Sequence, residues 1–155
     1  MSLQRELITA TKAPEIRGSY AIGAKAGPFL FLSGQVPVYP DGKVVLGYAD
    51  LRDEEGRALA TGRVPTDARE GPIAAQTWLI YSKIREILEE HGSSLDNILH
   101  QTIYMTDMAD FPAMERVRMK VFPQNPPPTT TASVTSLAIP GVRIEIQVIA
   151  LVPGG

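Results

Sequence analysis

The sequence predicts an α+β domain in which two helices cover one face of a single sheet. Residues 142–148 alternate, with Val142, Ile144, Ile146 and Val148 pointing one way and Arg143, Glu145 and Gln147 the other. Ile73, Ile80, Ile84, Ile87, Leu88 and His91 recur at helical spacing. Read along the chain, strands and helices follow the order βββαβαββ. Two helices cannot cover everything apolar in such a chain, so the remaining sheet face is expected to pack against other subunits.

"GSYAIGAKAGPFLFLSGQVPV" reads as two strands joined by a turn at Ala26-Gly27-Pro28. The consecutive apolar residues Phe29, Leu30, Phe31 and Leu32 ask for cover on both sides of the second strand. A short strand is expected at 43–46. An exposed excursion at about 47–72 follows, rich in charge and longer than most loops in compact domains.

The first helix has Pro72 suited to its first turn and Gly92 to its stop. "ILHQTIYMTD" is strand-like. The second helix, "DFPAMERVRMKVFP", is expected to be capped by Asp110 and to turn Met114, Val117 and Val121 inward. The last two strands cover 129–134 and 143–151, joined by a turn at Pro140-Gly141. The whole chain, 1–155, is read as a single domain.

Fifteen basic and 17 acidic residues give a net charge of −2, so neither nucleic acid nor an anionic membrane is an expected partner. The absence of cysteine removes disulfides, thiolate nucleophiles and cysteine zinc sites, and it fits a cytoplasmic location. No apolar run is long enough for a signal peptide or a membrane span. The two histidines, His91 and His100, stand apart in sequence, and no metal site or cofactor is expected.

Three ordered blocks resemble the RidA family, the reactive intermediate deaminases also called YjgF or endoribonuclease L-PSP-like proteins. The first is "GSYAIGAKAGPFLFLSGQVPV", with Tyr20, Ser33, Gly34 and Gln35. The second is "AAQTWLIYSKIREILEEHGSSLDNILHQTIYMTDMADF", and the third "PPPTTTASVTSLAIPGVRIEIQVIAL". The resemblance implies a chorismate-mutase-like fold, a homotrimer, and small-molecule clefts between neighbouring subunits. Active members hydrolyse reactive enamines and imines to keto acids and ammonia without a cofactor. It also implies substrate-binding roles for Tyr20, Ser33 and Gly34, and a water-positioning catalytic role for Glu145.

The chain departs from that pattern at the substrate grip. Where deaminating members carry an arginine after the proline segment, this chain has Thr129. Thr131 stands where many carry cysteine or a hydroxyl residue, and Glu115 stands where an asparagine is often seen. An arginine binds a carboxylate through two parallel charge-assisted bonds, worth about 1.5–3 kcal/mol each, whereas threonine offers one neutral donor. Thr129, Thr131 and Ser133 alternate with Thr130 and Ala132, so the three hydroxyls share one strand face.

Residue by residue, alternatives stay open. Glu145 reads either as a general base shielded in a cleft or as an outward acid paired with Arg143 or another subunit. Glu115 reads either as a cleft acid or as part of the solvated face "ERVRMK". Three functions follow. The first is a metabolite-binding trimer with Glu145/water-dependent hydrolysis of a non-standard substrate. The second is an ordinary deaminase with another carboxylate anchor, such as Arg118 or an arginine of 47–72. The third is a non-catalytic binding module. The ribonuclease label finds no basic stripe to support it.

Overall fold

The computed structural model describes residues 3–11, 13, 16–62 and 70–154. Its sheet has six strands: β1 (Glu6–Ile8), β2 (Gly23–Ala26), β3 (Phe29–Leu32), β4 (Ile98–Met105), β5 (Thr129–Ser133) and β6 (Ile144–Leu151). They lie in the order β1-β2-β3-β6-β4-β5. All neighbours are antiparallel except β4 and β5, so the sheet is mixed. Helices α2 (Glu70–Glu90) and α3 (Phe111–Val121) cover one face, and a short helix α1 (Glu54–Ala58) precedes them.

The order βββαβαββ holds if α1 is set aside, and the expected pair joined at Ala26-Gly27-Pro28 forms, but one of the first three strands is not the one expected. The segment at 43–46 forms only one isolated bridge, Val38 to Val44, and the first strand is instead Glu6–Ile8. Prolines at 37 and 40 deprive the stretch before it of two amide donors, and a ladder cannot run through them. Gly27 and Pro28 make the two-residue turn between β2 and β3, with Gly27 at φ 56°.

Pro72 lies in the first turn of α2, and Gly92 follows its end at φ 79°. There the Ser93 amide donates to the Leu88 carbonyl at 2.8 Å, which closes the helix. His91 Nε2 lies 2.7 Å from the Thr9 carbonyl, tying that end to the chain beyond β1. Asp110 stands at the N-cap of α3 but makes no capping bond; its carboxylate is buried, 3.6 Å from the Arg143 guanidinium. Asp107 caps the 3-10 turn before it by accepting from the Ala109 amide.

Ile73, Ile80, Ile84 and Leu88 of α2 meet Leu30, Ile103, Ile144 and Ile146 of the sheet, all fully buried. The excursion at 47–62 is not wholly exposed. Leu51 joins Val45, Ala75 and Leu79 in a second cluster against the outside of α2, and α1 packs its Gly56 onto the Trp78 ring. Residues 63–69 of the expected loop lie outside the described residues.

Candidate functional site

Glu145 is set by the parity of β6. Ile144 and Ile146 face the helices with no exposure, so Glu145 points to the uncovered face, opposite Tyr104 of β4. Next to it, Gln35 pairs with Ile146 through two backbone bonds of 2.8 and 3.1 Å, and this brings Gly34 against the carboxyl group. A Cβ at position 34 would lie 2.8 Å from Glu145 Cδ, too close for any real side chain. Glycine there is a requirement of the acid's position.

The surroundings shield Glu145 without neutralising it. Burial raises its pKa above the ordinary carboxylate value, and no cation pairs with it among the described residues. The start of β6 is held by Gln76 of α2, a fully buried amide. It donates to the Val45 and Gly141 carbonyls and accepts from the Arg143 amide at 2.8 Å. Polar Gln76 on an apolar helix face is the signal by which the sequence could have flagged this clamp.

Tyr20 and Ser33 belong to the same face as Glu145. Both border a wide depression of about 650 Å³ with Arg5, Leu7, Phe31 and Gln147. Tyr20 is 58% exposed, free to meet a ligand. Ser33 Oγ already donates to the Ala21 carbonyl at 2.6 Å, so it retains only acceptor capacity toward a ligand.

Thr129, Thr131 and Glu115 lie on the other side. Thr129 and Thr131 register with Gln101 and Ile103 of β4, both fully buried under the helices. Thr129 Oγ1 accepts from Gln101 Nε2 at 2.8 Å and donates to the Pro127 carbonyl at 2.9 Å, and Gln101 Oε1 accepts from Tyr81 at 2.8 Å. This relay uses the Thr129 proton internally. Glu115 pairs with Arg118 on its own helix, so Arg118 is engaged on the covered side. Within one chain, then, Tyr20, Ser33, Gly34 and Glu145 gather on the open face, while Thr129, Thr131 and Glu115 do not join them.

The β5 residues that do share Glu145's face are Thr130 and Ala132. Ala132 stands in one cross-strand row with Tyr104 and Glu145, and Thr130 in the next with Thr102 and Gln147. Thr130 Oγ1 lies 3.4 Å from His100 Nε2. Among the described residues no cluster of three or more His, Asp or Glu side chains could hold a metal ion, and no helix is long and apolar enough to cross a membrane.

A mixed sheet backed by helices on one face, with a shielded acid on the other, defines an α+β protein of the chorismate-mutase-like class. Comparison with known proteins narrows this. The family model described as Endoribonuclease L-PSP matches residues 10–152, and the chain belongs to that family, the RidA or YjgF proteins. It is 33% identical over 147 residues to a RutC family protein of Pyrococcus horikoshii, covering 94% of this chain and 97% of that one. The putative reactive intermediate deaminase TdcF of Escherichia coli is 27% identical over 149 residues, covering 95% and 97%. A solved putative endoribonuclease from Klebsiella pneumoniae superposes with a TM-score of 0.80 at 36% identity, over 86% of this chain and all of that one.

Proposed function

We propose that the protein is a cofactor-free hydrolase of small imine- or enamine-like metabolites, acting as a cytoplasmic homotrimer with its ligand held in clefts between subunits. The observation that carries this reading is Glu145: a carboxyl group shielded by burial, seated against Gly34, with no cation paired to it among the described residues. In its ionised form it would take a proton from water as the water oxygen bonds to the imine carbon, and pass that proton to the imine nitrogen as the C=N π bond opens. The resulting carbinolamine would then release ammonia and leave the carbonyl product. The relatives named reactive intermediate deaminase support this reaction class.

The usual carboxylate grip is absent from this reading, because Thr129 has a neutral hydroxyl already committed to Pro127. The substrate is therefore one that does not depend on a guanidinium at that position. The separation of Thr129 from Glu145 on opposite faces also favours a site assembled from more than one copy.

Ammonia release from a panel of neutral imines and freshly generated 2-imino acids tests the proposal, alongside light scattering for the assembly. Neutral imines should turn over at least as fast as 2-imino acids, and Glu145→Gln should lose at least about a hundredfold in rate. The acid limb of the pH–rate profile should lie above the ordinary carboxylate range, since the base must be ionised. No turnover in either class, or an unchanged rate in Glu145→Gln, would overturn it.

A second reading rests on Arg5, which borders the same depression as Tyr20 and Gln147. There Arg5 would anchor the carboxylate of an ordinary 2-imino acid, and Arg5→Gln would raise KM for acids while leaving neutral imines unaffected.

A further inference from the structure

A second cleft lies away from the open face, between α2 and the segment before α1. It holds about 360 Å³ and is bordered by Tyr39, Arg52, Asp53, Lys83, Arg85 and Glu86. Lys83 is its unusual member. The side chain is only 6% exposed, and its ammonium meets one acceptor, the Val36 carbonyl at 2.7 Å, although three N–H groups are available. No carboxylate pairs with it among the described residues.

Both acids that border the cleft have partners of their own. Asp53 accepts from the Trp78 indole and the Gly56 amide, and Glu86 interacts with another group. Of the cations, Arg52 lies over the Tyr39 ring and pairs with Asp41, whereas exposed Arg85 has no ion-pair partner among the described residues.

We propose that Lys83 is a nucleophilic amine that captures small carbonyl compounds bearing an acid group, with Arg85 receiving the acid. The nitrogen lone pair bonds to the carbonyl carbon, and the carbinolamine so formed loses its oxygen as water. The two amine protons leave in that water, and a C=N bond remains. Burial without a counter-charge supports the chemistry, for it lowers the lysine pKa to about 8 and so exposes the lone pair near neutral pH. At pH 8 the neutral fraction is roughly a hundredfold that of an ordinary lysine. This site is independent of Glu145 and of the reaction proposed for it.

Glyoxylate with cyanoborohydride, followed by peptide mapping, reads the adduct directly on the wild-type protein. At pH 8 Lys83 should be labelled at least about tenfold faster than Lys25, Lys43 or Lys120, with a rate that rises to a midpoint near pH 8. Lys83→Arg should lose that adduct alone, and Arg85→Gln should slow it. Labelling spread evenly over the lysines, or absent from Lys83, would overturn the proposal even if the variants fail to fold. Acetaldehyde reacting at Lys83 as fast as glyoxylate would overturn the role of Arg85.

Discussion

The two faces of the sheet differ in how each treats polar groups. On the covered face, buried polar side chains are linked in series: Tyr81 donates to Gln101, and Gln101 to Thr129 at the sheet margin, which ends the relay on a backbone carbonyl. On the open face, apolar Leu7, Phe29 and Phe31 remain 40–56% exposed, and Glu145 has no cation paired with it among the described residues. The covered face is built for stability, since a satisfied buried network holds one arrangement. The open face carries the groups that can still act on something else.

The largest effect should come from Ile146→Ala on the covered face, which removes a fully buried side chain and costs about 2–5 kcal/mol in chemical denaturation. Phe31→Ala on the open face should cost roughly 1 kcal/mol or less in the separate chain. A comparable loss for Phe31, with a melting temperature that depends on protein concentration, would show that copies of the chain bury that face.

Gly34→Ala should come next. Its new methyl group must displace the Glu145 carboxyl, so stability falls by about 1–3 kcal/mol and any Glu145-dependent rate falls with it. Unchanged stability would mean that the acid moves aside freely.

Glu145→Gln should have the smallest effect on stability, and in the opposite direction. The folded acid holds its proton to higher pH than the unfolded one, so wild-type stability falls as pH rises from the unfolded carboxylate range through the raised value. The glutamine variant should lack that slope and be slightly more stable at neutral pH. A wild-type stability that rises across the same window would contradict the shielding of Glu145.

Much of the fold could be read from the sequence because its long elements have clean periods. The α2 face from Ile73 to Leu88 and the alternation of β6 depend only on neighbours in the chain. β1 was hidden because Glu6, Leu7 and Ile8 are too few to show a period, and only Ile8 is buried. The segment at 43–46 looked like a strand because its residues suit one, but it lacks a partner beyond a single bridge.

Within the candidate site, the shared face of Thr129, Thr131 and Ser133 was legible from alternation alone. Which side of the sheet that face takes was not, for it is fixed by the pairing of β5 with β4. The same limit hid Thr130 and Arg5, whose common side depends on contacts distant in sequence. Gln76 and Lys83 were overlooked because a polar residue on an apolar helix face reveals its partners only after the loops have docked.

The place of β6 in the sheet bears on how the chain is made. Residues 29–31 pair with 149–151, and β6 lies between β3 and β4 although it is the last of the six strands to be synthesised. A ribosome that has finished β1 to β5 has therefore produced two halves of a sheet with nothing to join them. During that interval Leu30, Ile103 and the apolar face of α2 lack their central neighbour, and the nascent chain offers exposed strand edges to chaperones and to other copies of itself. Final closure waits on a contact about as distant in sequence as this chain allows, which places its folding among the slower topologies.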